Sequence, residues 1–183
     1  MSILFINACV RKESRTKVLA KDVLSKMQGE IIEIDLATES IAPLNRDTLE
    51  ERERLLNSGE TNKQIFKYAK MFAQADEIVI AAPFWDLSFP SILKIFLEQI
   101  SVAGITFEYR NGRPTGLCKA KRLVYVTTAG GEIVCDFGYT YIKALANNFF
   151  AIKDTISYRA TNLDAQGITI DNFWQKASVS TIK

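Results

Sequence analysis

The stretch Ile3-Leu4-Phe5-Ile6-Asn7-Ala8-Cys9-Val10-Arg11-Lys12-Glu13-Ser14-Arg15-Thr16-Lys17-Val18-Leu19 passes from an unbroken apolar run, through a basic loop, into a helical pattern. Four apolar residues without alternation indicate a strand buried on both faces, as in a parallel sheet covered by helices. Ile78–Ala82 and Leu123–Val126 have the same character. Ile31–Leu36 instead alternates, with Ile32, Ile34 and Leu36 set against Glu33 and Asp35, and Ile156–Ala160 alternates too. Half-exposed strands belong at sheet margins. The first, third and fourth strands are therefore expected at the centre and the second and fifth at the edges, in the order 2-1-3-4-5.

Helical patterns separate these strands. Val18, Leu19, Val23 and Met27 recur at helical spacing and stop near Gly29. Thr61-Asn62-Lys63-Gln64 reads as a capping box ahead of Ile65, Phe66, Ala69, Phe72 and Ala73. Pro90 suits the first turn of a helix carrying Leu93, Phe96, Leu97 and Ile100, and Tyr139–Phe150 and Phe173–Ile182 complete the set. Glu50-Glu51-Arg52-Glu53-Arg54 reads as a solvated helix face, and Gly104–Gly116, with Asn111-Gly112, as a hairpin-like insertion. No repeat or linker interrupts the chain, so residues 1–183 are expected to form a single α/β domain.

The composition bounds the chemistry. With 183 residues, 48% hydrophobic and 24% charged, the chain is long enough for one well-filled core. A net charge of +2 without a concentrated basic face argues against a nucleic-acid binder. Histidine is absent, which removes Ser-His-Asp and Cys-His catalysis, His-ligated metals and imidazole proton transfer together. Cys9, Cys118 and Cys135 are odd in number and lack a C-x-x-C spacing, as expected of reduced thiols and not of a zinc site. Met1–Ile6 lacks the basic start of a signal peptide, and no apolar run reaches the ~18 residues of a membrane span. A cytoplasmic protein with no membrane or nucleic-acid partner is expected.

In an open α/β sheet, ligands sit beyond the carboxyl ends of the strands where strand order reverses. Three loops fall there. Asn7–Lys17 holds four basic residues against one acid, and Arg15 and Lys17 fall in a helix's first turn, where cations are unfavourable unless an anion docks. Ser14 and Thr16 add hydroxyls to the free N–H groups, which together suit a phosphate; the alternative is a simple Ser14 cap with solvated cations. There is no G-x-G-x-x-G or P-loop pattern. Ala82-Pro83-Phe84-Trp85-Asp86-Leu87-Ser88-Phe89-Pro90 is a stiff aromatic loop suited to flank a planar ring, or else to pack in a core or interface. Thr127-Thr128-Ala129-Gly130-Gly131-Glu132 permits close backbone approach, or forms a tight turn. Jointly they suit a planar heterocycle bearing one terminal phosphate, such as flavin mononucleotide (FMN). Cys9 and Cys135 are read as small buried apolar residues.

At these residues the chain resembles the flavodoxin-like NAD(P)H-dependent oxidoreductases that use FMN, including azoreductases and quinone reductases. Ser14-Arg15-Thr16 is similar to the family's S-x-S element, Ala82–Leu87 to A-P-M-Y-N-F, and Thr127–Gly131 to T-S-R-G-G. Ala103–Tyr109 and Gly116-Leu117 resemble its insertion before the fourth strand. Asp86 stands where the motif has Asn, and Ala129 where it has Arg. The resemblance implies a flavodoxin-like three-layer sandwich. It implies that Ser14, Arg15 and Thr16 hold the FMN phosphate with help from Arg11. Pro83, Phe84, Trp85, Asp86 and Leu87 would line the ring, with Thr127, Thr128, Ala129, Gly130 and Gly131 at its pyrimidine side. It further implies a homodimer that passes a hydride from NADH or NADPH through FMN to a quinone, azo or nitroaromatic acceptor. No side chain is expected to act as nucleophile or acid. Two other readings stay open: a flavodoxin-type electron carrier, and a flavin-free Rossmann-like protein binding another phosphate.

Overall fold

The computed structural model describes residues 1–169 and 178–182. Eight strands form among the described residues, β1 (Ser2–Asn7), β2 (Glu30–Asp35), β3 (Glu77–Ala81), β4 (Phe107–Arg110), β5 (Arg113–Gly116), β6 (Arg122–Thr128), β7 (Asp154–Thr161) and β8 (Ser178–Ile182). The main sheet has the order β2-β1-β3-β6-β7-β8, and its first five strands are parallel. This is the expected order 2-1-3-4-5, with β6 and β7 as the fourth and fifth parallel strands. One part of that expectation is corrected: β7 is not a margin. β8 pairs antiparallel along it, Ser157 opposite Ile182 and Thr161 opposite Ser178. The helix expected over Phe173–Ile182 is likewise corrected, since Ser178–Ile182 is strand and the rest of that span lies outside the described residues. The alternation in Ile156–Ala160 reports a strand with mixed burial of its faces, which says nothing of whether another strand pairs along its edge.

Five helices are described, α1 (Arg15–Ser25), α2 (Arg46–Asn57), α3 (Lys67–Gln74), α4 (Ser91–Ile100) and α5 (Phe137–Asn148). One sheet face packs Leu4, Ile6, Ile78, Ile80, Leu123 and Tyr125 against Phe72 of α3, Leu93 and Phe96 of α4, and Tyr139 and Ile142 of α5. The opposite face packs Ile3, Phe5, Val79, Val124 and Val126 against Leu19, Ala20, Val23 and Leu24 of α1. The unbroken apolar runs of the central strands follow from this double burial, because successive side chains point to opposite faces and both are dry.

Lys63, not Thr61, precedes a short 3-10 turn, Gln64–Phe66, and no side chain caps it. The capping box instead opens α2, where Asn45 Oδ1 accepts from Thr48 N at 2.9 Å and Thr48 Oγ1 accepts from Asn45 N at 3.0 Å. α2 does present Glu50–Arg54 mainly outward, with Leu55 its buried anchor. β4 and β5 form the expected hairpin, with Asn111 and Gly112 both in the left-handed region, φ 52° and 73°, as a two-residue hairpin turn requires.

At the amino ends of the strands, Asp76 ties the first residues to the core. Its Oδ2 accepts from Ser2 N at 2.8 Å and its Oδ1 meets Lys119 Nζ at 2.6 Å. The Lys119 bond first, and the Ser2 N–H second, hold this carboxyl down to about 2. The folded value lies below the ordinary carboxyl value of about 3.9, so the contribution is complete above that value and lost as pH falls through it toward 2. Asp76→Asn is therefore expected to flatten the acid side of the stability profile. Thermal unfolding followed by circular dichroism between pH about 5 and about 2 checks this, and parallel profiles for the two proteins would refute it.

Candidate functional site

The chain leaves β1, β3 and β6 at the same sheet edge, and main-chain pairing continues a little way into each loop. Ala8 N donates to Ala81 O at 2.8 Å, Ala82 N to Val126 O at 2.9 Å, and Phe84 N to Thr128 O at 3.0 Å. Three loops separated by up to 120 residues are thereby held side by side. Between them lies a cavity of about 480 Å³, lined by Val10, Arg11, Glu13, Ser14, Arg15, Thr16, Pro83, Phe84, Trp85, Thr128, Ala129, Gly130, Leu163 and Asp164. That volume suits a small cofactor or substrate.

Ten of the fourteen residues singled out from sequence thus meet around one cavity: Arg11, Ser14, Arg15, Thr16, Pro83, Phe84, Trp85, Thr128, Ala129 and Gly130. Asp86, Leu87, Thr127 and Gly131 do not line it. Thr127 points to the opposite sheet face from Thr128, by strand alternation. Asp86 and Leu87 occupy the tip of a tight turn in which Trp85 N donates to Ser88 O at 3.2 Å and Ser88 N to Trp85 O at 2.8 Å. Val10, Glu13, Leu163 and Asp164 were not anticipated. The last two lie beyond β7, where the sequence carries no motif.

The amino end of α1 supplies the polar wall. Ser14 is its N-cap, with Oγ accepting from Lys17 N at 3.3 Å, and the first-turn N–H groups have no intrahelical partners. Thr16 is fully buried, and its hydroxyl lies 2.5 Å from that of Thr128, stapling α1 to the end of β6. The four cations of this loop are not equivalent. Lys17 Nζ lies 3.1 Å from Asp35 Oδ2 and 3.5 Å from Glu33 Oε1. Burial pulls its ammonium down, but these two carboxylates outweigh it and hold it above its ordinary value. Both carboxylates also accept from Asn7 Nδ2, at 2.9 and 3.1 Å, so the fully buried Asn7 is satisfied. Arg15 donates to Leu163 O and meets Asp164 Oδ1 at 3.3 Å. First-turn cations therefore have internal partners, and their presence does not by itself require an anion. Arg11 is different: its guanidinium lies over the Trp85 ring, 5.8 Å from the centroid.

Gly130 forms the other side. Asn162, Leu163 and Asp164 donate their N–H groups to Gly131 O, Ala129 O and Gly130 O, at 3.1, 3.2 and 2.9 Å. The Asp164 carboxylate occupies the place a Gly130 side chain would take, so a side chain at 130 would have to displace it. Cys9 is buried, and burial pushes its thiol up to about 11 against the opposing Ser14 hydroxyl, so it is no nucleophile. Cys135, expected to be buried, is exposed.

Helix-end N–H groups with two hydroxyls, an aromatic flank and a side-chain-free glycine therefore face one cavity. This donor set fits a planar ring bearing a single phosphate. A family model described as a flavodoxin-like fold matches residues 1–177, and the chain belongs to that family. It is 35% identical over 179 residues to an FMN-dependent NADH:quinone oxidoreductase of Clostridium perfringens (strain ATCC 13124), covering 92% of this chain and 90% of the relative. It is equally 35% identical over 185 residues to the Clostridium beijerinckii protein of the same name, covering 96% and 93%. Among solved structures, an FMN-dependent NADH-azoreductase from Bacillus anthracis str. Ames Ancestor in complex with FMN superposes with a TM-score of 0.77, covering 96% of this chain and 95% of that one. At 23% identity that likeness is one of fold. Among the described residues no helix is long and apolar enough to cross a membrane.

Asp86 and Leu87 hold left-handed backbone angles, φ 50° and 64°, in the turn that carries the aromatic flank. The conformation is routine for Asn or Gly and disfavoured for leucine. Leu87→Gly is expected to stabilise the fold by roughly 0.5–1 kcal/mol, the strain relieved less the entropy of glycine. Chemical denaturation measures it, and a clear loss of stability would contradict the strain.

Proposed function

We propose that this protein is an FMN-dependent oxidoreductase that moves electrons from NADH or NADPH to a small quinone, azo or nitroaromatic acceptor. The observation that carries the reading is the convergence of the α1 amino end, the Phe84–Trp85 flank and Gly130 on one cavity. The names of the clostridial relatives support it. FMN held here by the α1 amino end and the Phe84–Trp85 flank would supply the hydride-transfer chemistry between nicotinamide and acceptor.

The side chains bind and orient. Ser14, Thr16 and the first-turn N–H groups of α1 hold the phosphate, where the helix dipole favours negative charge. Arg11 adds a cation at the rim, while Arg15 serves chiefly to hold the Leu163–Asp164 strap. Phe84 and Trp85 flank the ring and Pro83 stiffens their approach. Thr128, Ala129 and Gly130 form its polar edge; Ala129 N–H already donates to Ala160 O at 2.9 Å, so Gly130 N–H is the main-chain donor proposed to stabilise developing negative charge there. Asp86, Leu87, Thr127 and Gly131 shape the two loops from outside. No histidine is required for any of these roles.

The remaining parts of the reading concern assembly. The sheet and its two helical faces form a three-layer sandwich, residues 1–183 one domain, and the protein works in the cytoplasm. A homodimer is supported by apolar side chains exposed in the turn after Trp85, in the loop after β6 and on α5, with Leu87 51%, Val134 82%, Phe137 60% and Tyr141 39% exposed. Leu87 and Phe137 are joined through Phe137 N and Leu87 O at 3.0 Å.

The decisive measurement is the visible spectrum of the protein after incubation with FMN, followed by anaerobic NADH and then menadione. A retained flavin spectrum, bleached by NADH and recovered with continued turnover on menadione, is expected. A protein that takes up no flavin overturns the proposal, and bleaching without turnover favours an electron carrier. Ser14→Ala is expected to weaken FMN binding by roughly tenfold or more, through loss of a hydrogen bond to a charged group. It should also lower stability by about 1 kcal/mol through loss of the cap. Fluorescence titration and denaturation read the two effects separately, and unchanged FMN affinity would remove Ser14 from the phosphate site.

A further inference from the structure

The loop that supplies Arg11 and Ser14 to the cavity is gripped at both ends by the acidic end of β2. Residues 10–13 are exposed, and among the described residues no main-chain hydrogen bond joins them to another segment. The course of the loop is therefore set where it begins and where it ends. At its start, Asn7 is fully buried, and its Oδ1 accepts from Cys9 N at 3.1 Å. At its close, Ser14 Oγ accepts from Lys17 N at 3.3 Å. Both holding residues lead to β2. Asn7 Nδ2 donates to Glu33 Oε1 at 2.9 Å and to Asp35 Oδ2 at 3.1 Å, and Lys17 Nζ lies 3.1 Å from the same Asp35 oxygen.

The Asn7 amide has one orientation open to it. Carboxylates only accept and a main-chain N–H only donates, so Nδ2 must face β2 and Oδ1 must face Cys9. Turning the amide over would set a carbonyl oxygen against two carboxylates and an NH2 group against an N–H. Asn7 ends a strand that is apolar from Ile3 to Ile6, and a polar group so deeply buried is costly without partners. Here those partners fix the course of the loop. Lys17 acts at the other end. Its ammonium is drawn to β2 and does not line the cavity. Its main-chain N–H occupies a lone pair of Ser14 Oγ, which leaves the Ser14 proton for an anion at the α1 amino end.

We infer that Glu33 and Asp35 are positioning residues for the anion-binding loop, acting through Asn7 at its start and through Lys17 at its end. None of these four residues lines the cavity. Their part is to hold the loop in its binding shape before a ligand arrives, so that ordering the loop does not weaken binding. The loop meets the phosphate of the ligand, and the contribution therefore falls on the phosphate and not on the ring. For the identity of its ligand the inference rests on the function proposed above, whereas the grip on the loop stands on the hydrogen bonds alone.

Two variants test it: Asn7→Leu, which keeps the branching and removes the polar atoms, and Asp35→Asn, at a half-buried position. The first measurement is amide hydrogen exchange of the flavin-free protein. Relative to Val79 and Val124 in the central strands, exchange is expected to quicken at least about tenfold at Cys9 in Asn7→Leu and at Lys17 in Asp35→Asn. Exchange unchanged at these amides, or quickened equally in the strands, overturns the inference. The second measurement compares the binding of FMN with that of riboflavin, which lacks the phosphate. FMN affinity is expected to fall roughly tenfold in each variant while riboflavin affinity is unchanged. Equal losses for the two ligands, or FMN affinity kept in a folded variant, overturn it. A parent that binds neither flavin refutes the function proposed above, and exchange at Cys9 and Lys17 still decides the grip. If Asn7→Leu fails to fold, Asp35→Asn carries both measurements.

Discussion

The double burial of β1, β3 and β6 is the constraint on which the rest of the molecule depends. With helices on both faces, these strands carry mostly apolar side chains between their ends, Tyr125 of β6 being an exception, and most of the chain's polar work is displaced to their ends. Asn7 and Thr128 mark the change. Each is the last residue of its strand, and each turns its polar atoms to a neighbouring segment, Asn7 to Glu33 and Asp35 of β2, Thr128 to Thr16 of α1. Parallel pairing then requires that the loops after these strands emerge at one edge, so a cavity there follows from the sheet's construction.

Charge is arranged around that cavity with more economy than a count of basic residues suggests. Lys17 neutralises the acidic end of β2 and Arg15 fastens a strap that arrives from beyond β7. Both are partly exposed contacts, and the Arg15–Asp164 pair, with Asp164 73% exposed, contributes little stability in itself. Its consequence is geometric. It closes one side of the cavity with Leu163 and Asp164, and it lays the Asp164 carboxylate over the bare face of Gly130. The phosphate-binding capacity of the α1 amino end then rests on hydroxyls, main-chain N–H groups and the helix dipole more than on the cations beside it.

Much of this was legible in the chain. Apolar continuity against alternation separated the central strands from β2, and Asn111-Gly112 marked the hairpin. Ser14, Thr16, the Phe84–Trp85 pair and Gly130 were found because each residue type has a local physical meaning at the start of a helix, after a strand or at a close approach. The errors have an equally definite cause. Alternation in Ile156–Ala160 predicts a marginal β7, but periodicity reports the faces of a strand and not what pairs with its edge. Thr61–Gln64 carries the letters of a capping box, yet the chain begins that segment with a 3-10 turn, while Asn45 and Thr48 make the box at α2.

The order of residues by itself determined the class of fold, the edge of the sheet where a ligand belongs and most of the residues that face it. Those properties follow from short-range rules, namely which side chains tolerate burial, which begin a helix and which permit a turn. Tertiary structure alone decided the partners of Arg15 and Lys17 and the entry of Leu163 and Asp164 into the cavity wall. Each of these joins positions far apart in the chain or on different elements, and the contact exists only once the parallel sheet has set their distance.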